Sequence, residues 1–200
     1  MNRKMNYNEE LKKLITNLDH RPTLLLHSCC GPCSSYVINF LIKHFDITIV
    51  FYNPCIEPIE EYEKRKKEQI RLIEEYKSDY KIEYIESDYD NEKYEEIVKE
   101  HHDAKEGGSR CSLCFKQRLE YTSLIASKNN YEYYATTLTV SPHKNSKLIN
   151  EIGFAVEDKS KYLAGDFKKE EGYKKSIILA EEYKLYRQNY CGCKYSKHEE

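Results

Sequence analysis

The strongest constraint on the fold of this chain is an apolar segment that ends in a turn with three cysteines. Residues 24–35 read LLLHSCCGPCSS. The apolar run is typical of a buried β-strand, the Gly31-Pro32 pair favours a bend, and the two serines that follow can cap a helix. In open α/β sheets, ligands bind beyond the carboxyl ends of the strands. We therefore predict that the three thiols of this turn belong to a functional site.

Strand and helix patterns alternate along the chain, which predicts an α/β fold with a mainly parallel sheet. The run ITIVFY is apolar throughout, as expected for a strand whose sheet is covered on both faces. Strand patterns occupy 23–27, 47–52, 82–85 and 131–138, with a short edge strand at 154–156. Helical patterns occupy 7–19, 34–45, 60–77, 91–101 and 111–127, with further helices after the polar segments 140–146 and 166–175, the last one ending at Tyr186.

Length and charge limit the class of protein. The 200 residues are enough for one hydrophobic core, so we predict a single domain over 1–200 with an N-terminal helix within 1–20. The net charge of −2 identifies no partner by itself. Residues 1–19 are polar and no apolar run approaches the ~20 residues of a membrane span. We therefore expect a cytoplasmic protein without a signal peptide and without a membrane partner.

Eight cysteines in a cytoplasmic chain indicate metal binding or catalysis rather than a disulfide framework. The pattern places all of them in loops or at helix starts, and none like a small core residue. They are Cys29, Cys30, Cys33, Cys55, Cys111, Cys114, Cys191 and Cys193.

Cys111 and Cys114 form a CxxC pair at the predicted start of a helix. Helix N-termini favour thiolates, and this spacing suits zinc or an iron–sulfur cluster equally. Adjacent cysteines such as Cys29 and Cys30 are unusual in a zinc ribbon. More than four thiols at one sheet edge suggest a cluster with a second group beside it.

The Cys191-Gly192-Cys193 segment permits two interpretations. An i,i+2 pair can just reach disulfide geometry, and strained disulfides are the redox-active ones. Gly192 would permit the tight turn. Alternatively, the two thiols are further metal ligands.

Five long motifs together resemble the cobalamin-independent epoxyqueuosine reductases of the QueH type, over about residues 23–195. The motifs are HSCCGPCS (27–34), FYNPCIEPIEEYEKR (51–65), EGGSRCSLCFKQRLE (106–120), TTLTVSPHKN (136–145) and DFKKEEGYKKSIILAEEYKLYRQNYCGC (166–193). The resemblance implies a fold of the adenine-nucleotide-hydrolase (PP-loop-like, Rossmann-like) kind. It also implies a [4Fe–4S] cluster, an adjacent iron ion and reduction of the epoxide of epoxyqueuosine in tRNA to queuosine, the last step of that modification.

The resemblance also implies roles for single cysteines. Family members can carry a carboxylate where this chain has Cys33, so Cys33 is a candidate ligand of the second iron. Cys55 stands where an Asn is expected in NPNxxP, and we interpret it as incidental. The cluster ligands implied are Cys29, Cys30, Cys111 and Cys114, and the redox-active pair is Cys191 and Cys193.

Reduction of an epoxide to an alkene needs two electrons, protons and a Lewis acid on the oxygen. An adjacent iron with an open position would supply the Lewis acid, and the Cys191/Cys193 dithiol could relay or store electrons. His27, His143 and Asp166 are candidate proton donors, although each could equally be a hydrogen-bonded structural residue. The sequence does not identify the protein that donates the electrons.

The partner implied is the anticodon loop of a tRNA. Lys and Arg side chains would bind its phosphates, and Tyr rings could stack on a splayed base. ATP is not expected, because SGGxDS is absent after the first strand and Pro32 removes a backbone amide from a phosphate cradle. Candidate contacts are Lys144, Lys147, Lys168, Lys169, Lys174, Lys175, Lys184 and Arg187, interleaved with Tyr173, Tyr183, Tyr186 and Tyr190.

Two other functions fit the cysteines alone. One is a cluster-dependent tRNA thiolase of the PP-loop kind, which the missing SGGxDS disfavours. The other is a zinc-stabilised RNA-binding module without enzymatic activity.

Overall fold

The computed structural model describes residues 5–197 and confirms an α/β fold with one parallel sheet. No helix in this range is both long and apolar enough to cross a membrane. The strands are Thr23–His27 (β1), Asp46–Val50 (β2), Glu83–Ile85 (β3), Tyr133–Thr136 (β4) and Lys161–Tyr162 (β5). The α-helices are Tyr7–Thr16 (α1), Gly31–Leu41 (α2), Ile59–Glu75 (α3), Asn91–Val98 (α4), Ser109–Lys128 (α5), Ser146–Ala155 (α6) and Gly172–Glu182 (α7).

The five strands pair in the order β3-β2-β1-β4-β5, and every pair is parallel. β1 is the central strand, with Leu24 opposite Ile47 on one side and Tyr133 on the other. All carboxyl ends therefore lie at one edge of the sheet. The three-cysteine turn after β1 and the loop after β2 meet there, as predicted from the pattern.

Helices cover both faces of β1, which explains why its residues are apolar without alternation. Leu24 and Leu26 pack into one core cluster with residues of α2 such as Val37. Leu25 points to the opposite face and packs with Leu119 of α5. All three leucines of the strand are fully buried.

The helix after the cysteine turn begins earlier than the serines predict. α2 starts at Gly31, with Cys30 as its N-cap residue and Pro32 in its first turn. Proline favours the start of a helix because its fixed φ is already helical and its missing N–H is not needed there. Ser34 and Ser35 lie inside the helix instead, and their hydroxyls donate to backbone carbonyls one turn earlier.

The predicted edge strand at 154–156 is wrong. The Asn145 side chain accepts a hydrogen bond from the Leu148 amide and caps α6, which continues to Ala155. Phe154 packs its ring edge-on against Tyr162 at 5.4 Å between centroids. Phe154 therefore covers the sheet edge, and β5 itself is formed by Lys161 and Tyr162.

Candidate metal centre

Three thiols converge at the carboxyl end of β1. The sulfur atoms of Cys29, Cys30 and Cys33 lie within 4.8 Å of one another. Cys29 and Cys30 belong to the turn, and Cys33 follows in the first turn of α2. This thiol triad is close enough to hold a single metal ion, and thiolates favour soft metals such as zinc and iron in clusters.

A buried hydrogen-bond network fixes the backbone under the thiol triad. The hydroxyls of Ser28 and Ser34 both donate to Oε1 of Gln69 on α3, at 2.6 and 2.5 Å. Nδ2 of Asn53 donates to the carbonyl oxygen of Ser28 at 2.8 Å. The Thr137 hydroxyl donates to the Cys29 sulfur at 3.3 Å and accepts from the Cys29 amide. Three distant parts of the chain, which carry Gln69, Asn53 and Thr137, therefore hold one short turn.

A second group of thiols lies at the start of α5. Cys111 lies in its first turn and Cys114 in its second, and the Gly107 amide donates to the Cys111 sulfur at 3.2 Å. Cys55, from the loop after β2, packs with Cys114 in the same buried cluster. We call Cys55, Cys111 and Cys114 the α5 thiol group.

Cys55 corrects the expectation that no cysteine occupies a core position. It is buried and packs in an apolar cluster with Phe51, Tyr62 and Val98. The loop that carries it is pinned inward, because Asn91 at the start of α4 donates to the carbonyl oxygen of Pro54. Cys55 is thus both a core residue and a neighbour of a predicted cluster ligand.

Two adjoining cavities connect the thiol groups. The larger has a volume of about 440 Å³ and is lined by the thiol triad, and the smaller, of about 30 Å³, is lined by the α5 thiol group and Cys193. Arg118, Lys144 and Cys191 lie in the walls of both. All eight cysteines therefore face one of two cavities that share a wall, as the clustering of cysteines at one sheet edge predicted.

Two cations compensate negative charge on the thiols. Arg118 is 3% exposed, and its Nη2 donates to the Cys114 sulfur at 3.1 Å. Burial alone would lower the pKa of Arg118, but nearby thiolates, Cys114 first, outweigh burial and raise it. Burial also acts to lower the pKa of Lys144, but the nearby groups Cys191, Cys29 and Cys33 outweigh burial and raise it.

The thiols share charge unequally because adjacent thiolates repel each other. Hydrogen bonds from Cys30 and Cys33 hold the pKa of Cys29 well below its usual range. Donation to Cys29 in turn raises the pKa of Cys30 to about 12 and that of Cys33 well above its usual range. A hydrogen bond from Cys55 likewise lowers the pKa of Cys114.

His27 is enclosed in the sheet and does not line either cavity. It is fully buried, its Nε2 lies 3.0 Å from the Tyr52 carbonyl oxygen, and its Nδ1 lies 2.9 Å from the Thr136 hydroxyl. Burial lowers its pKa to about 4, so the ring is neutral at pH 7. This placement favours the structural alternative for His27.

The other two candidate proton donors differ in access. His143 is exposed and lies in the walls of both cavities. Asp166 lies outside those walls, 3.9 Å from the Lys168 ammonium, and its Oδ1 is buried without a hydrogen-bond partner among the described residues. Access to the cavities therefore favours His143.

The CGC segment approaches the cavities from the carboxyl-terminal part of the chain. Cys191 is half-buried and Cys193 is buried, and both are free thiols. Arg65 of α3 donates to the carbonyl oxygens of Cys191 and Tyr190 at 3.1 and 3.4 Å. Gly192 has φ of 122°, a conformation that favours glycine, which agrees with the predicted tight turn.

Arg118 and Asn53 are site residues that the sequence analysis did not find. Arg118 follows Cys114 by four residues, so the spacing CxxCxxxR places its side chain one helical turn above the thiol. That spacing was a usable signal. Asn53 carried no such signal, because its role depends on the distance between β1 and α5.

Comparison with known proteins identifies relatives over almost the whole chain. Residues 24–199 match the family model described as epoxyqueuosine reductase QueH. The chain is 43% identical to the epoxyqueuosine reductase QueH of Staphylococcus aureus over 96% of this chain and 84% of that protein. It is 39% identical to the protein of that name from Streptococcus pyogenes (98% and 79% covered) and 35% identical to that from Thermotoga maritima (87% and 90% covered).

Proposed function

The chain belongs to the epoxyqueuosine reductase QueH family and is an oxidoreductase, and from this premise we propose how its residues perform the reaction. The chain reduces the epoxide of epoxyqueuosine, in tRNA, to queuosine. In our proposal it does so with an iron–sulfur centre held by Cys29, Cys30, Cys111 and Cys114. The observation that carries the proposal is the convergence of eight thiols, the buried cation Arg118 and the half-buried cation Lys144 on adjoining cavities.

The donor set fits such a centre. Thiolate sulfur is the ligand that iron–sulfur clusters use, and the cations Arg118 and Lys144 in the cavity walls would offset the negative charge that bound thiolates carry. The four proposed ligands lie in neighbouring walls rather than in one triad, as suits a group larger than a single ion. Cys33 remains available beside Cys29 for an adjacent iron. When bound, this centre supplies single electrons and an open iron position as a Lewis acid.

The CGC segment balances the electrons. Conversion of the epoxide to an alkene consumes two electrons and two protons and releases water. Oxidation of Cys191 and Cys193 to a disulfide would release two electrons and two protons. Cys191 lies in both cavity walls, so it is placed to pass them on, and an external reductant must then reduce the disulfide.

The larger cavity is the proposed site for the modified nucleoside. Tyr173 and Tyr190 line it and could stack on a base, and Arg187 at its wall could bind a phosphate. Tyr183 and Tyr186 do not line this cavity. Tyr173 and Tyr190 are therefore the two tyrosines that we propose as stacking contacts.

We assign the proton donor by its access to solvent and to the cavities. His143 is exposed in the cavity wall and can exchange protons with solvent. We propose that it delivers a proton to the oxygen that leaves the substrate. His27 would hold the strand end that carries Cys29, because its Nε2–H donates to the Tyr52 carbonyl oxygen and its Nδ1 accepts from the Thr136 hydroxyl.

The first experiment is anaerobic purification followed by analysis of iron, sulfide and zinc and by a visible spectrum. Broad absorption near about 400 nm with four or more irons per chain is expected for a thiolate-bound [4Fe–4S] cluster. Cys111→Ala should lower the iron content. Epoxyqueuosine-containing tRNA is then assayed for conversion to queuosine with a chemical reductant, and Cys191→Ser should lose turnover while it keeps its iron.

The competing outcome is a structural zinc ion. The thiol triad is compact enough for one ion, so colourless protein with one zinc per chain would overturn the redox centre. Full turnover by Cys191→Ser would remove the CGC segment from the electron path but leave the cluster assignment intact.

A further inference from the structure

Arg118 is the buried cation between the two thiol groups. It lies on α5 one turn after Cys114, and its side chain reaches the walls of both cavities. Its Nε donates to the Cys114 carbonyl oxygen and its Nη2 to the Cys114 sulfur, both at 3.1 Å. Its Nη1 lies 3.4 Å from Oδ1 of Asn53.

Asn53 extends this contact to the other thiol group. It is 1% exposed, and its Nδ2 donates to the carbonyl oxygen of Ser28 at 2.8 Å. Ser28 immediately precedes Cys29. Three hydrogen bonds therefore join the sulfur of Cys114 on α5 to the backbone beside Cys29 at the end of β1.

The charge of Arg118 has no carboxylate partner within 4.0 Å among residues 5–197. Arg65 is the instructive contrast, because it is as deeply buried but pairs with Glu61 at 2.6 Å. A buried guanidinium needs an anion or full hydrogen bonding to offset its lost hydration. For Arg118 the side-chain partner in that place is the Cys114 sulfur, which accepts from Nη2.

We propose that Arg118, oriented by Asn53, is a positioning residue of the metal centre. It holds the Cys114 sulfur at a fixed position relative to Cys29. Its positive charge stabilises the more negative, reduced state of a group bound between these thiols. Hydrogen bonds and positive charge at cluster sulfurs raise the reduction potential. The inference rests on the proposed centre, and it adds to the charge compensation assigned to Arg118 there the positioning of Cys114 by Arg118 and Asn53.

The test compares four variants with the wild-type chain: Arg118→Gln, Arg118→Lys, Asn53→Ala and the control Arg110→Gln. Arg110 is also 3% exposed and on α5, but its guanidinium donates to the carbonyl oxygens of His101, His102 and Ala104 rather than to a thiol. Two readouts are independent of turnover. One is the affinity of the metal-free, reduced chain for Co²⁺, followed by thiolate charge-transfer absorption. The other is the midpoint potential of the iron-loaded chain.

Arg118→Gln is expected to lose roughly 10- to 100-fold in Co²⁺ affinity, the usual effect of removing a partner of a metal ligand. Its midpoint potential should fall, and that of Arg118→Lys should fall less because the charge remains. Asn53→Ala should lose affinity and keep the wild-type potential. Arg110→Gln should change both quantities much less than Arg118→Gln does, because Arg110 donates to backbone carbonyl oxygens and not to a thiol.

A folded Arg118→Gln with wild-type affinity and potential would overturn the inference. If Arg118→Gln does not fold by circular dichroism, Arg118→Lys decides in the same way. Wild-type Co²⁺ affinity in Asn53→Ala would show that Arg118 and Asn53 do not position the Cys114 sulfur relative to Cys29. Failure of the wild-type chain to load iron would instead refute the proposed centre, so the two failures are distinguishable.

Discussion

The turn after β1 and the CGC segment carry thiols to the same cavities, but the protein holds them in different ways. The turn is locked by Gln69, Asn53 and Thr137, which lie on three other parts of the chain. The CGC segment receives two donors from distant parts of the chain, the Arg65 guanidinium and the Glu57 amide, and these bond only to its backbone. Its other hydrogen bonds are local, because the Ser196 amide and hydroxyl donate to the Cys193 carbonyl oxygen and the Cys193 thiol donates to the Ser196 hydroxyl.

This difference matches what each thiol group must do. Ligands of a resident metal need fixed positions, and packing with hydrogen bonds supplies them. A dithiol that is oxidised and reduced again must reach both the centre and an external reductant, so it needs freedom to move. We therefore expect the turn to unfold only with the whole domain and the CGC segment to open locally.

The largest expected effect tests how the CGC segment is anchored. Arg65→Ala removes the donor to the carbonyl oxygens of Cys191 and Tyr190 and leaves the Glu61 carboxylate, which is 12% exposed, without its buried partner. Breaking such a buried pair typically costs about 3–5 kcal/mol. We expect a loss of that size in the unfolding free energy of the reduced, metal-free chain, measured in urea, together with faster alkylation of Cys193.

Lys67→Ala is the control, since Lys67 is exposed on the same helix and should change the stability little. A loss below about 1 kcal/mol for Arg65→Ala, a value typical of surface pairs, would contradict the anchoring role. It would also remove the contrast between the two regions.

The pH dependence of stability tests the β1 side of the comparison. The pKa of buried His27 is about 4, below the 6.5 of an exposed histidine, so the unfolded chain binds a proton first as the pH falls. The contribution to stability is complete above pH 6.5 and is lost as the pH falls from 6.5 to 4. Its full size is about 3 kcal/mol.

The glutamine of His27→Gln does not titrate. Subtracting the unfolding free energy of His27→Gln from that of wild type at each pH therefore cancels the contributions of the other titrating groups. The stability advantage of wild type over His27→Gln should shrink by about 3 kcal/mol between pH 7 and pH 4. Parallel curves for the two metal-free chains would mean that His27 is accessible to protons and that the strand end is less tightly closed.

The sequence was sufficient for the sheet and for the position of the thiols, for reasons visible in single elements. Uninterrupted apolar runs such as Leu24–Leu26 are typical of strands that are covered on both faces, and parallel strands place their carboxyl ends together. Contacts between distant elements could not be read from spacing. The burial of Cys55 beside Cys114 and the bridge through Asn53 depend on how the β2 loop packs against α5. The proton donors illustrate the same limit, because only packing separates enclosed His27 from exposed His143.

A smaller effect on stability is expected when the hydrogen bonds between Gln69 and the turn after β1 are removed. Gln69→Leu removes the acceptor of two buried hydroxyls, of which Ser34 keeps two carbonyl acceptors and Ser28 keeps only one at 3.4 Å. Loss of such a bond costs about 1–3 kcal/mol. Gln117→Leu is the matched control, since buried Gln117 makes one long bond, at 3.4 Å, to the Tyr52 hydroxyl. If both variants lose equal stability in urea, the network does not lock the turn.

The smallest effect on global stability is expected from Gly192→Ala, although the added Cβ would lie close to neighbouring side chains. At φ of 122°, an added Cβ would lie 2.9 Å from both Arg65 Nη1 and Ile56 Cγ1. A segment held by few bonds can relieve that clash by detaching, so the unfolding free energy should fall by no more than about 1 kcal/mol. Detachment instead exposes Cys193, whose alkylation rate in the reduced, metal-free chain should rise several-fold.

Gly107→Ala is the control for backbone strain alone, because Gly107 also has positive φ but nothing within 4 Å of an added Cβ. A large loss of global stability with unchanged Cys193 alkylation would show that the CGC segment unfolds with the domain, and would place it with the turn after β1 as fixed scaffold.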